Sequence, residues 1–246
     1  EIITSDWSSD VCSSDLRNLF RDPEHLWIEA DYSQLELRVA ATLANERTML
    51  GLFDGGEDIH TYMACELTKT DSPTKEQRSL AKGVNFGFLY GMHHNHFANY
   101  LQETYGVVIS QKDAFQFREQ YFDRFSGLQP WYKRQRAFAI KHGGVPNAFG
   151  RFRHLPEVYV ADYWVQEAAF RQAINAPVQS TGSDFMLISL ARMARDKRLT
   201  KMGARLITTV HDSVCLTAPA ENALDVGHLL KEIMEQADDK IGRAHV

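Results

Sequence analysis

The chain contains few of the residues that would indicate a disulfide-rich, membrane or repetitive protein. Three cysteines occur in 246 residues, and neither Cys65 nor Cys215 has the spacing of a metal-binding pair. No apolar run approaches the roughly 20 residues that a membrane helix needs. The sequence also has no internal repeat and no low-complexity stretch. These absences exclude a disulfide framework and favour a reducing, cytosolic compartment.

The two ends of the chain read as translated sequencing adapter. Codons for Asp10–Asp15 can be written so that their reverse complement encodes Ile241–Val246. Inverted ends of this kind are expected when one adapter is read on both sides of an insert. We therefore expect residues 1–16 and 241–246 to be adapter-derived and to carry no information about the fold. The natural gene is expected to continue beyond both ends.

Charge is nearly balanced once those ends are set aside. The whole chain carries a net charge of −5, and the part between the ends carries about −2. A near-neutral chain binds nucleic acid where its cations are gathered into patches. Two such patches are visible, although a solvated helix face is the alternative for each one alone. The first contains Lys133, Arg134, Arg136, Lys141, Arg151 and Arg153, and the second contains Arg192, Arg195, Lys197, Arg198, Lys201 and Arg205.

Two aspartates lie at the ends of predicted β-strands. Asp31 follows the apolar run Leu26–Ala30, and Asp212 lies beside His211 in the predicted turn of a hairpin. Paired carboxylates at converging strand ends suit two-metal phosphoryl transfer, for which magnesium is the expected ion. The backbone carbonyl of Tyr32 is expected to complete the set of metal ligands. The alternative is that Asp31 enters a helix and Asp212 merely occupies a turn.

Four side chains are predicted to form a stripe on one long helix. Arg78, Lys82, Phe86 and Tyr90 recur at steps of four and therefore share a face. Arg78 and Lys82 would hold the phosphates of a nucleoside triphosphate, and Lys82 is also placed to protonate the leaving pyrophosphate. Phe86 and Tyr90 would pack against the sugar and base. The alternative is an ordinary amphipathic helix whose aromatic residues face the core.

Glycine and proline carry three further predictions. Ser72 followed by Pro73 predicts the start of the long helix, with the serine as N-cap. Within that helix an interior glycine costs about 1 kcal/mol relative to alanine. The spacing of Gly83, Gly87 and Gly91 therefore argues against a purely structural helix, and close approach of a partner is the expected reason. A second long helix is predicted to kink or restart at Pro177.

Taken together, these motifs resemble family A DNA polymerases, the bacterial DNA polymerase I-like group that includes many phage enzymes. The resemblance covers nearly all of residues 17–240. It implies an α+β right-hand polymerase fold, in which a palm with an antiparallel sheet is combined with helical fingers and the thumb is missing. The matching segments are DYSQLELR at Asp31–Arg38, the R-x3-K-x3-F-x3-YG pattern at Arg78–Gly91, the segment Arg171–Gln179, and VHDS at Val210–Ser213.

The resemblance also implies a division of the chain into subdomains. Palm segments are expected at residues 17–43 and 156–240, and fingers at residues 44–155. By the same resemblance, the thumb should precede residue 17 and a last palm strand should follow residue 240. We therefore expect the chain on its own to be weakly active or inactive, although its source enzyme polymerises DNA.

Substrate and partner contacts follow from the same resemblance. Gln34 and His60 would help to bind the incoming nucleotide, although a surface helix histidine is the alternative for His60. The expected partners are dNTP and primer-template DNA, without a membrane, for a monomer in the cytoplasm of a bacterial or phage-infected cell. Contacts to the minor groove and backbone of the primer-template, which are nearly sequence-blind, are expected from Arg171, Asn175, Gln179 and His211.

Glu36 and Ser213 bear on which nucleic acid is made. The Glu36 carboxylate would block a ribose 2′-hydroxyl and could accept a hydrogen bond from Tyr90, which favours deoxynucleotides. A capping box with Ser33 is the alternative for Glu36, and both roles can hold together. Ser213 stands where most family A enzymes have glutamate, and it resembles single-subunit RNA polymerases. An enzyme of that kind and a non-catalytic nucleic-acid-binding remnant are therefore the alternative functions.

Overall fold

The structure is a computed structural model that describes residues 24–236, so both predicted adapter segments lie outside it. Helices and antiparallel strands are both present, which confirms the α+β prediction. None of the helices in this range is long and apolar enough to cross a membrane. The helices are α1 Leu35–Ala44, α2 Arg47–Asp54, α3 Ile59–Thr68, α4 Lys75–Leu89, α5 His94–Tyr105, α6 Gln111–Arg124, α7 Leu128–His142, α8 Tyr163–Arg195, α9 Lys197–Lys201 and α10 Ala223–Glu235; the strands are β1 His25–Asp31, β2 Gly144–Pro146, β3 Phe152–His154, β4 Arg205–Val210 and β5 Ser213–Pro219.

The first of two compact units contains the larger sheet. Its described part comprises residues 24–35 and 182–236. β5 is the central strand and pairs antiparallel with β1 on one side and β4 on the other. Most β5 side chains are buried, and α10 packs against β1. The predicted strand before Asp31 and the predicted hairpin around Asp212 are both confirmed.

The second unit, residues 36–181, is mainly helical. α4 packs against α3, α5 and α6. Its core includes an aromatic cluster in which the Phe88 ring lies 4.2 Å from that of Phe97 and 5.7 Å from that of Tyr121, measured between centroids. The hairpin of β2 and β3 follows α7 in the chain, and β2 packs against that helix.

One buried carboxylate in this unit caps two helices. Glu46 is 3% exposed and accepts a hydrogen bond from the Thr48 backbone N–H at 2.9 Å, at the start of α2. It also accepts from the backbone N–H of Gly127, immediately before α7. Free N–H groups at helix N-termini favour a negative charge. Glu46 thereby fixes the starts of α2 and α7 to each other.

The glycines of α4 are explained by the neighbouring helix α5. A Cβ on Gly83 would overlap the Leu101 side chain, and a Cβ on Gly87 would lie only 2.7 Å from the Phe97 ring. A close approach is present, but the partner is a helix of the same chain, so the interpretation against a purely structural helix is wrong for these two glycines. These two glycines have a structural explanation that requires no ligand.

The structure tests two predictions that proline carried, at the start of α4 and within α8. α4 begins at Lys75, and Thr74 forms the capping box with Gln77, so the predicted N-cap at Ser72 is wrong. The reciprocal pair of hydrogen bonds in the capping box outweighs the signal from a proline at the first helical position. α8 runs through Pro177 as one helix, so the predicted restart does not occur, and the kink that was its alternative stays a prediction.

Candidate active site

The structure brings the carboxyl groups of Asp31 and Asp212 together in the first unit. Asp31 ends β1 and is paired in register with Ser213, the first residue of β5. Asp212 lies in the two-residue turn between β4 and β5, and its backbone carbonyl accepts a 3.2 Å hydrogen bond from the Tyr32 N–H. Thus the end of β1 and the β4–β5 turn are joined by backbone contacts on both sides of the aspartate pair.

The surroundings of Asp31 disfavour its ionised form. Partial desolvation, the nearby charge of Asp212, a hydrogen bond with Asp212 and the charge of Glu29 raise the pKa of Asp31 to about 6, although the Tyr32 backbone opposes the shift. Crowded carboxylates behave in this way when no cation is near them. A bound divalent cation would therefore relieve a repulsion that the fold itself creates.

The available donor set fits a hard cation. The two carboxylates and the Tyr32 carbonyl offer oxygen ligands only, which magnesium prefers. Within the described residues, no group of three or more acidic, histidine or cysteine side chains could hold a metal ion. One or two carboxylates suffice for magnesium where substrate phosphates and water complete the shell.

Tyr32 is anchored by contacts that the sequence did not reveal. Its side chain is 2% exposed, and its hydroxyl hydrogen-bonds to the Ser189 hydroxyl of α8 and donates to the Met234 carbonyl of α10 at 3.1 Å. These partners lie 157 and 202 residues away in the sequence. The anchor fixes the backbone immediately after Asp31.

Ser213 and His211 shape the turn that carries Asp212. The Ser213 hydroxyl donates to the Val210 carbonyl at 3.0 Å and closes the turn. His211 has a φ of 55°, in the left-handed region that few residues other than glycine adopt at low cost. Its side chain is exposed, and its predicted contact with DNA stays a prediction.

In the second unit, α4 presents the predicted stripe. Arg78 and Lys82 are exposed, whereas Phe86 and Tyr90 are partly buried. The C-terminal end of the helix is held by Tyr132, whose hydroxyl lies 2.9 Å from the Phe88 carbonyl and 2.7 Å from the Leu89 carbonyl. The cationic half is therefore open to solvent, and the aromatic half is fixed in the fold.

Arg78 has a carboxylate partner that the sequence did not indicate. Its guanidinium contacts Asp58 Oδ2 through Nη2 at 2.6 Å and through Nε at 2.7 Å. Asp58 also caps α3, accepting from the His60 N–H at 3.0 Å and the Thr61 hydroxyl at 2.8 Å. Although partial burial opposes it, these hydrogen bonds hold the pKa of Asp58 below its usual value. Asp58 thus positions Arg78 beside the start of α3.

His60 is buried, so the alternative of a surface histidine is wrong. It is 4% exposed, and its Nδ1 accepts from the Asn85 amide at 2.9 Å. Its ring lies 5.7 Å from the Phe86 ring. Burial lowers the pKa of His60 to about 4, with the charges of Arg78 and Lys82 acting in the same direction and that of Asp58 against it. The imidazole is therefore neutral at physiological pH.

Tyr90 and Glu36 form the contact that the sequence predicted. The Tyr90 hydroxyl donates to Glu36 Oε2 within the second unit. Burial, followed by the charge and hydrogen bond of Glu36, raises the pKa of Tyr90, so that the phenol stays a neutral donor.

The remaining predicted residues lie near α1 and on α8. Gln34 immediately precedes α1 and has a φ of 56°. Arg171, Asn175 and Gln179 lie at steps of four on α8. Arg171 and Gln179 are exposed there, and Asn175 Oδ1 is buried with no hydrogen-bond partner in the described part of the chain.

Comparison with known proteins gives a consistent result. The family model for DNA polymerase family A matches residues 9–242. The thermostable DNA polymerase I of Thermus thermophilus is 37% identical over 212 residues, and DNA polymerase I of Aquifex aeolicus is 34% identical over 228 residues. These matches cover 85% and 91% of this chain but only 24% and 38% of the relatives. The adapter origin of the residues before 17 stays a prediction.

A solved structure gives the same result for the fold. The POL domain of Pol1 from M. smegmatis, in complex with DNA primer-template and dNTP, superposes with a TM-score of 0.80 at 29% sequence identity. The match covers 88% of this chain and 38% of that one. Thus the chain spans between about a quarter and two fifths of the proteins to which it is similar.

Proposed function

Because this chain belongs to DNA polymerase family A, we propose that it contributes to template-directed DNA synthesis. In this reaction the 3′-hydroxyl of a primer attacks the α-phosphate of a dNTP, a new P–O bond forms, and pyrophosphate leaves. The observation that carries the proposal is the pairing of Asp31 and Asp212 at a strand end and an adjacent turn. We assign the first unit to the palm and α4 with its neighbours to the fingers.

The aspartates are proposed to hold magnesium, with two ions as in two-metal phosphoryl transfer. Bound divalent ions would supply stabilisation of the charge that develops on the attacking and leaving oxygens. Asp31 and Asp212 would provide the carboxylate ligands and Tyr32 its backbone carbonyl. The anchored Tyr32 side chain then keeps that carbonyl in place beside Asp31.

The stripe on α4 is proposed to bind the incoming nucleotide. Arg78 and Lys82 would neutralise the triphosphate, and Lys82 would transfer a proton to the departing pyrophosphate. Phe86 and Tyr90 would pack against the base and sugar. Gln34 and His60 would also help to bind the incoming nucleotide. Since His60 is buried, we assign its effect to supporting Phe86 rather than to a direct charge.

Glu36 is proposed to select deoxyribose. The hydrogen bond from Tyr90 holds the Glu36 carboxylate in one position, where it would exclude a ribose 2′-hydroxyl. An RNA polymerase-like enzyme is the alternative that the sequence raises through Ser213. Ser213 donates to the Val210 carbonyl and so has a role in closing the turn. We assign the choice of sugar to Glu36.

The primer-template is proposed to contact Arg171, Asn175, Gln179 and His211. Three of these lie on one stripe of α8, where Asn175 keeps a buried oxygen without a hydrogen-bond partner among the described residues. Minor-groove contacts of this kind read base pairs with little dependence on sequence, as a polymerase requires. The M. smegmatis relative carries a primer-template and dNTP in its solved complex, which supports these partners.

The test is single-nucleotide incorporation on a primed DNA template with magnesium, comparing dNTP with rNTP. Because the chain on its own is expected to be weakly active or inactive, its matched segment replaces the corresponding segment of a curated relative, and the unmodified relative serves as control. We expect this chimera to add dNTP, and Asp212→Asn to abolish the addition. Preferred rNTP addition would support the RNA polymerase alternative. An inactive chimera that still binds primer-template would support the alternative of a non-catalytic nucleic-acid-binding remnant.

A further inference from the structure

Three highly exposed aromatic side chains lie just before and at the start of α8. Trp164 is 74% exposed, and Tyr159 and Tyr163 are each 61% exposed. The rings of Tyr163 and Trp164 pack edge to face, with centroids 5.2 Å apart. We refer to these three residues as the aromatic surface. Exposed apolar patches of this kind, surrounded by polar residues, commonly mark binding sites.

The backbone beneath the aromatic surface is fixed by hydrogen bonds. The Tyr159 hydroxyl donates to the Ile140 carbonyl at 2.8 Å, which attaches it to the last turn of α7. The Asp162 carboxylate accepts from the backbone N–H groups of Trp164 at 2.9 Å and Val165 at 3.1 Å. The rings are therefore presented on a rigid support, which lowers the entropic cost of binding a partner.

The chain segment that leads into the aromatic surface is basic. Residues 133–165 contain six basic and two acidic side chains, although the whole chain carries a net charge of −5. The contact of Tyr159 with Ile140 places this surface beside the exposed Lys141. Two further pairs of rings, Phe138–His142 at 4.3 Å and Phe152–His154 at 4.9 Å, lie in the same basic segment.

We propose that the aromatic surface binds single-stranded nucleic acid. Unpaired bases would stack on Tyr163 and Trp164 while neighbouring cations contact the phosphates. Stacking of this kind accepts any base and requires bases that are not already paired in a duplex. Resting on the proposed function, we assign the occupant as the unpaired template strand beyond the primer. Lys141 is the cation of the first basic patch that the structure places beside this surface.

The test is equilibrium binding of the whole chain to fluorescently labelled primer-template without dNTP. The template carries either no 5′ extension or one of about twelve nucleotides, within the range of single-strand binding sites. A 3′ extension of equal length and free oligothymidylate distinguish a template extension from any single strand. The variants are Trp164→Ala and Tyr163→Ala. Phe115→Ala removes an exposed ring from α6 and is the matched control.

We expect the 5′ extension to tighten binding, and each aromatic variant to weaken binding of the extended template about tenfold. Binding of the blunt duplex should stay unchanged, and Phe115→Ala should behave as wild type. Equal weakening on blunt and extended DNA, or none at all, would overturn the proposal, as would a preference for the 3′ extension. The binding assay does not require catalysis. Its result can therefore be interpreted even if the nucleotide-incorporation test of the proposed function fails.

Discussion

The Tyr90 hydroxyl donates its hydrogen bond to the Glu36 carboxylate, joining the residue after α4 to the first turn of α1. This contact holds a carboxylate beside the aromatic end of the stripe that is proposed to bind the nucleotide. Because the phenol stays protonated, the contact persists across the physiological pH range.

Removing this carboxylate should relax sugar selection. We expect Glu36→Ala to raise the ratio of rNTP to dNTP incorporation by at least about tenfold, equivalent to about 1.4 kcal/mol. Tyr90→Phe keeps the carboxylate and loses only its hydrogen bond, so its effect on the ratio should be smaller. Single-turnover incorporation of paired dNTP and rNTP measures both. A Glu36→Ala enzyme that slows on both sugars equally would contradict the assignment.

Asp31 should destabilise the metal-free fold at neutral pH. Its pKa is raised from 3.8 to about 6, so the folded state binds this proton more tightly than the unfolded state does. Stability therefore falls as the pH rises through this window. Because Asp31 is partly exposed, solvent screens its charge and reduces the effect on stability. We expect Asp31→Asn to stabilise the fold by on the order of 1 kcal/mol at pH 7.

Urea denaturation in a chelating buffer measures this difference, and incorporation assays should show that the same variant is inactive. Magnesium should stabilise the wild type more than Asp31→Asn, because the variant lacks one carboxylate ligand. A variant less stable than wild type at pH 7 would show that the Asp31 charge is not a source of strain.

Protonation of His60 should destabilise the fold as the pH falls, whereas ionisation of Asp31 destabilises it as the pH rises. Its pKa falls from 6.5 to about 4, so the unfolded state binds the proton first. Its contribution to stability is therefore intact above pH 6.5 and is lost as the pH falls toward 4, by at most about 3 kcal/mol. The difference in melting temperature between wild type and His60→Gln should shrink between pH 7 and pH 5. A constant difference would contradict this.

Glu46 should matter more for stability than a surface glutamate. Glu46→Ala leaves the N–H groups of Thr48 and Gly127 without their acceptor, and we expect a loss of about 2–4 kcal/mol. Glu46→Gln keeps an acceptor oxygen and should lose less. Chemical denaturation measures both, with the exposed Glu103→Ala as control. Equal losses for Glu46→Ala and Glu103→Ala would rule out the double cap.

Gly83 and Gly51 offer a matched pair of helix glycines. Alanine at Gly51 meets no atom within 4 Å, so helix propensity alone should stabilise by up to about 1 kcal/mol. Alanine at Gly83 would overlap Leu101, and overpacking costs about 1–3 kcal/mol, which exceeds the gain in propensity. We expect opposite signs in the free energy of unfolding. Stabilisation by both substitutions would show that α5 moves aside easily.

Local patterns in the sequence predicted the parts of the fold that depend on local chemistry. The β-branched runs and the turn residues around Asp212 suffice to define a hairpin, and the run before Asp31 defines a strand. The stripe on α4 follows from a spacing of four alone. Errors arose where two local signals competed, as at Ser72 and Thr74, since a complete capping box outweighs proline.

Contacts between distant residues could not be predicted in the same way. The ion pair of Arg78 with Asp58 spans 20 residues, and the hydrogen bond of Tyr32 with Ser189 spans 157. Nothing in either neighbourhood of the sequence indicates its partner. The burial of His60 likewise depends on how α3 packs against α4. Such features arise from tertiary packing, which one sequence specifies only through the whole fold.

The pairing of β1 with β5 also determines the order in which the chain can fold during synthesis. β1 is synthesised before residues 36–181, yet among the described strands its partner is β5, residues 213–219, which are synthesised after them. Residues 36–181 form a continuous unit that can fold on the ribosome before then. Closing the sheet requires a contact of very high sequence separation, which slows folding. The aspartate pair can therefore assemble only after the whole of residues 36–181 has been synthesised.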